Sequence, residues 1–121
     1  MSFRNSCVNA WETLPVTISS GTSITGTTDL GGLRLFAISM PPAWTAANLT
    51  FQMSPDGGTT WTDLRDQSGD EIVAVTGASV CTILTPSQFA PLQYLRVRSG
   101  TGSSPVAQGA DRQLQLILRP V

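Results

Sequence analysis

The sequence predicts an all-β fold: a single β-sandwich, jelly-roll-like, of about eight strands. Three observations predict it. Short β-prone runs recur along the chain, Gly, Pro, Ser and Asp fill the gaps between them, and no stretch of useful length carries a helical apolar period. A chain of 121 residues supports one domain with a real core but not two. We divide it into an N-terminal arm over residues 1–13 and a β-sandwich domain over residues 14–121.

The runs follow in order. Leu14 to Ser20 sets Leu14, Val16 and Ile18 against Pro15, Thr17 and Ser19, the alternation of a half-buried strand. Leu33 to Met40 is almost continuously apolar between Gly31-Gly32 and Pro41-Pro42, as for a strand buried on both faces. Leu49, Phe51 and Met53 alternate with Thr50 and Gln52, and Trp61 and Leu64 follow a turn at Asp56-Gly57-Gly58. Ile72 to Val75 and Val80 to Leu84 flank Thr76-Gly77-Ala78 and read as a hairpin. Thr85-Pro86-Ser87-Gln88-Phe89 reads as one helical turn, with Thr85 able to cap and Pro86 in the first turn. Leu95 and Val97 alternate with Tyr94, Arg96 and Arg98, and Leu114, Leu116 and Leu118 with Gln113, Gln115, Ile117 and Arg119.

Two stretches lack this patterning. The arm has no clear period yet carries Phe3, Val8 and Trp11, so it reads either as a frayed terminus or as a segment that docks on a neighbour. Residues 99–110, rich in Gly and Ser, read as a long flexible loop available to a partner. The candidate partner-binding residues are Phe3, Arg4 and Trp11 in the arm and Thr101, Ser103 and Val106 in the loop. Trp44 reads as an exposed aromatic or as a plug at the core edge.

Charge is the second theme. Asp and Glu total eight and Arg seven, with no Lys and no His, so only 12% of the chain is charged. A soluble domain carries about a quarter. Such a surface is poorly protected against sticking, and arginine favours contact through its planar, weakly hydrated fork. A GC-rich genome also explains missing lysine, but not the low total. The net charge of −1 with scattered arginines argues against nucleic acid as the partner. No apolar run approaches the roughly 18 residues of a membrane span, and the first ten residues lack a signal-peptide pattern. Synthesis in a cytoplasm is therefore expected. Cys7 and Cys81 are read as free, Cys81 as a small buried hydrophobe, with a disulfide under oxidising conditions as the alternative.

The sequence offers no catalytic constellation. Without histidine there is no Ser-His-Asp or Cys-His pair, and without lysine no Schiff base or P-loop. Asp63, Asp66, Asp70 and Glu71 cluster after the central turn, but their spacing is not that of a calcium loop. They read as a solvated loop. No enzyme activity, no cofactor and no metal site are expected.

One motif stands out: Ser54-Pro55-Asp56-Gly57-Gly58-Thr59-Thr60-Trp61 matches Ser/Thr-x-Asp-x-Gly-x-Thr-Trp. Asp56 can fold back onto backbone N–H groups, Gly58 can take positive φ, and Trp61 can cover the hairpin. The motif resembles an Asp-box, the hairpin turn of sialidase propellers and of many unrelated secreted or virion β domains. That resemblance implies a folding element formed by Ser54, Asp56, Gly58, Thr60 and Trp61, away from any catalytic centre. One copy cannot build a propeller.

Over residues 33–119, the order of Phe-Ala-Ile-Ser-Met-Pro, the Asp-box hairpin, Tyr-Leu-Arg-Val-Arg-Ser-Gly-Thr and Asp-Arg-Gln-Leu-Gln-Leu-Ile-Leu-Arg resembles small β-sandwich proteins of tailed bacteriophages. These include cement or decoration subunits that brace the capsid. The resemblance implies a virion location, the major capsid protein as partner and a homo-oligomer, trimer or dimer. A carbohydrate-binding or tail- and fibre-associated module, using Trp11, Trp44 and Trp61, is the alternative.

Overall fold

The structure, a computed structural model, describes residues 12–120. Its eight strands are β1 (Glu12–Ile18), β2 (Thr28–Asp29), β3 (Arg34–Ser39), β4 (Leu49–Ser54), β5 (Thr62–Asp63), β6 (Cys81–Ile83), β7 (Tyr94–Ser99) and β8 (Arg112–Arg119). They form two antiparallel four-stranded sheets, ordered β1-β8-β3-β6 and β2-β7-β4-β5. The first strand pairs with the last, the second with the seventh, the third with the sixth and the fourth with the fifth. This nesting is one long antiparallel hairpin wrapped over a core, which is the jelly-roll order.

Alternation along the strands builds that core. Leu114, Leu116 and Leu118 of β8 and Ile18 of β1 point inward from the first sheet, to meet Leu49, Phe51, Leu95 and Val97 from the second. The near-continuous apolar run of β3 meets the same requirement through a bulge. Leu35 sits opposite Leu118 and Ala37 opposite Ile117, with Phe36 as the extra residue. Leu35 and Ile38 therefore both reach the interior, and both are fully buried. Phe89, in the 3-10 turn Pro86–Phe89, closes one end against Phe51, with ring centroids 5.1 Å apart and planes at 79°. Thr85 flanks that turn in extended conformation, and its side chain makes no cap bond.

Several local expectations change. β1 opens at Glu12, paired to Leu118, so Glu12 and Thr13 belong to the sheet rather than to the arm. Residues 72–75 and β6 form no hairpin. Ala74 exchanges backbone bonds with Leu49 and Ile72 donates to Leu64 on one sheet, while β6 pairs with β3 on the other. The segment between them is a crossover, and Thr82 Oγ1 donating to Val75 O at 3.0 Å links its two sides. Cys81 is exposed rather than buried, because it sits on the outward face of a three-residue edge strand opposite Ser39.

The remaining strand, β2, is too short and too polar to announce itself. It pairs Thr28 with Leu95 and Asp29 with Tyr94. Upstream, Thr25 is buried, its N–H donates to Val97 O at 2.9 Å, and its Oγ1 accepts from Val97 N at 3.0 Å. A side-chain hydroxyl thus stands in for a ladder carbonyl. Thr25→Val keeps the shape but leaves a buried N–H unpaired, and lowers stability by about 1–3 kcal/mol. Urea denaturation checks this; an unchanged midpoint would show that the hydroxyl contributes nothing.

Candidate interaction surfaces

The turn between β4 and β5 is organised by one hydroxyl and one carboxylate. Ser54 Oγ accepts from Gly58 N at 2.7 Å and donates to Asp56 Oδ1 at 2.8 Å. Asp56 Oδ1 also accepts from Thr60 N at 2.9 Å and Thr59 N at 3.2 Å, and Oδ2 accepts from Thr60 Oγ1 at 2.7 Å. Gly58 has φ +99°, a conformation that residues with a Cβ rarely adopt. Trp61 donates from Nε1 to Gly58 O at 3.2 Å, and Arg96 stacks its guanidinium 4.1 Å from the Trp61 ring centre.

The bonds from the Thr60 backbone, the Thr60 hydroxyl and Ser54 hold the Asp56 carboxyl down to about 2 from its ordinary 3.8. A folded-state pKa below the unfolded one stabilises the fold above pH 3.8, and that contribution disappears as pH falls through about 2. Asp56→Asn therefore melts below the wild type at neutral pH, and the gap closes in strong acid. Thermal melts across this range test it; a gap independent of pH would mean the carboxylate charge plays no part.

A second network covers the outward face of the β2-β7-β4-β5 sheet. Arg98 is buried there, although its strand position points away from the core. Its Nε donates to Thr50 Oγ1 at 2.9 Å, Nη1 to Asp63 Oδ1 at 2.9 Å and Nη2 to Glu71 Oε2 at 2.7 Å. Glu71 Oε2 also accepts from Gly102 N at 3.0 Å, and Thr50 Oγ1 donates to Gly100 O at 2.7 Å. The Arg98 bond is the main cause that lowers the Asp63 pKa.

These bonds overturn two readings of the sequence. Asp63 and Glu71 do not belong to a merely solvated loop, since they are the counter-charges of Arg98. Asp66 is also engaged, accepting from Ser68 N and Asp70 N. Residues 99–110 do not form a loose loop either. Gly100 bridges to Pro105, and Val106 N donates to Ser99 O at 2.8 Å. Gln108 is buried, donating to Ser99 Oγ and Thr45 O and accepting from Thr45 N. Thr101 and Val106 are half-buried, and Ser103 is exposed at the tip.

The outward face of the β1-β8-β3-β6 sheet differs from both. Strand register aligns Thr13, Ile117, Ala37 and Ile83 in one row, and Pro15, Gln115, Ser39 and Cys81 in the next. Neither row carries a charge. Ile83, at the β6 edge, is 83% exposed, and Val75 beside it 71%. Between residues 72–75 and β6 runs a groove of about 280 Å³, lined without a charged side chain by Val73, Val75, Thr82, Ile83, Leu84 and neighbours. Exposed apolar side chains gathered around an uncharged groove mark a contact surface.

The sequence singled out none of these positions as contacts. A signal was present: the apolar runs at 72–75 and 80–84 exceed what one hidden face can use. Phe3, Arg4, Cys7 and Trp11 lie outside the described residues. Trp44 packs against the core and donates Nε1 to Ala47 O at 3.1 Å, as the plug reading expects. No cluster of three or more metal-ligating side chains occurs among the described residues. Among the described residues, no helix is long and apolar enough to cross a membrane. No family model, curated protein or solved structure matches the chain.

Proposed function

We propose that this protein is a structural virion subunit, a cement or decoration protein that binds between major capsid proteins and braces a phage head. The observation that carries the reading is the pair of uncharged rows across the outer face of the β1-β8-β3-β6 sheet, bordered by the exposed Ile83 and Val75. Such a face is a liability on a free molecule and an asset on one covered by neighbours. The scarcity of charge over the whole chain points the same way, as does the resemblance of residues 33–119 to small phage β-sandwich proteins. Mechanistically, a rigid sandwich pinned by the Arg98 network presents a fixed surface across a subunit boundary. A contact burying roughly 1,000 Å² makes each copy a clamp.

Capsids lacking the protein test this. Added protein binds them saturably and raises the temperature at which shells rupture. At a free concentration of 100 times Kd each bound site adds about 2.7 kcal/mol to the assembled state. Absence of binding, or binding with no change in shell melting, overturns the proposal. The carbohydrate-binding alternative loses support, because Trp44 is packed against the core and one face of Trp61 is taken by Arg96.

A further inference from the structure

We propose that residues 1–11 of one copy dock on the β6 edge of a second copy, seating their apolar side chains in the groove between residues 72–75 and β6. The inference deepens the structural-subunit reading and rests on it only in taking the protein to act as an oligomer.

The receptor surface is defined by what it lacks. Among the described residues, β6 pairs with β3 alone, so its other backbone edge is open. Beside that edge stand Ile83, 83% exposed, Val75, 71%, Val73, 44%, and Val80, 43%. An open edge bordered by apolar side chains receives an extended segment, whose backbone completes the ladder while alternate side chains fill the groove.

The occupant is identified by length, position and composition. Eleven residues precede Glu12, and extended they span about 36–40 Å. They enter β1, which is the edge of the same sheet opposite β6. Three strand spacings, roughly 14 Å, separate those edges, so the segment is long enough to reach beyond its own sheet. It carries Phe3, Val8 and Trp11 and a single charged side chain, Arg4, which suits a groove that holds no charge. A path over its own sheet would cross β8 and β3, whose backbones are paired on both sides and have nothing to offer. The β6 edge of a neighbour offers free donors and acceptors at once. Such a contact is head-to-tail, one edge to the opposite edge, and closes into a ring when its rotation permits.

Two full-length variants test the contact. One carries Phe3→Ser, Val8→Ser and Trp11→Ser, which disables the arm; the other carries Ile83→Asp, which disables the groove at an exposed position. The wild type is oligomeric by light scattering after size exclusion, and each variant alone is monomeric. Mixed in equal amounts they form a one-to-one heterodimer, because one brings an intact groove and the other an intact arm. In a Cys7→Ser background, alkylation of Cys81 at the β6 edge is at least about tenfold slower with the wild-type arm than with the serine arm. A monomeric wild type, a variant that stays oligomeric, or a mixture without heterodimer overturns the inference. If capsids bind the protein while the mixture gives no heterodimer, this contact fails and the cement reading stands. If the heterodimer forms but capsids bind nothing, the contact stands and the cement reading fails.

Discussion

Arg98→Met lowers the unfolding free energy by about 3–5 kcal/mol, the range for removing one partner of a buried charge cluster. Methionine fills much of the space but leaves Asp63 and Glu71 facing each other, with side chains only 30% and 15% exposed. The Thr50 hydroxyl loses its guanidinium donor in the same step. The urea midpoint falls with little change in slope, since the core stays as large as before. Adding Asp63→Asn and Glu71→Gln recovers much of the loss, because no uncompensated charge then remains. A fall below about 1 kcal/mol, typical of exposed ion pairs, would show that solvent screens the cluster. Acid separates the effects further. Arg98 holds Asp63 below its ordinary 3.8, so this stabilisation is complete above pH 3.8 and is lost as pH falls through the folded value. The difference between variant and wild type therefore narrows in acid.

Gly100→Ala is the second severe substitution. Gly100 has φ +91°, and a Cβ there would lie 2.5 Å from Ser104 O, 2.7 Å from Val106 N and 2.9 Å from Pro105 Cα. All three are backbone atoms of the tight turn that folds over the Arg98 network, so none can swing aside. Backbone strain alone costs about 1–3 kcal/mol, and opening the turn also disturbs the bond from Gly102 N to Glu71. We expect a loss of at least about 3 kcal/mol, on the scale of severe single substitutions. Gly21→Ala is the control: its φ is +80°, with nothing within 4 Å of the added Cβ. It carries the strain without the clash. Equal losses for the two variants would mean that crowding at Gly100 is unimportant.

Legibility of the fold followed from periodicity. The alternations of β1, β4, β7 and β8 identify the buried side chains directly, and the all-β class follows from them. The turn at 54–61 was legible because its bonds run between residues at most four apart in sequence. Pairings set at long range were not legible. Arg98 reads as an outward strand residue, and only the approach of Glu71, 27 residues away, and of the 100–105 turn makes it a buried charge. Cys81 reads as core by its apolar neighbours, yet its strand ends at an edge.

The contact surface shows the same division. The apolar character of 72–75 and 80–84 is written in the chain, but two strands of one hairpin would have shared it. The crossover instead assigns one run to each sheet and leaves Val75 and Ile83 outside.

By itself, then, the sequence determined the class of fold, the inward faces of the long strands, the central turn and the scarcity of charge, all properties of local pattern and composition. Tertiary structure alone decided the nesting of strand pairs, the burial of Arg98 and the exposure of the β6 edge. These depend on which distant backbone supplies each hydrogen bond, and no local pattern encodes that choice.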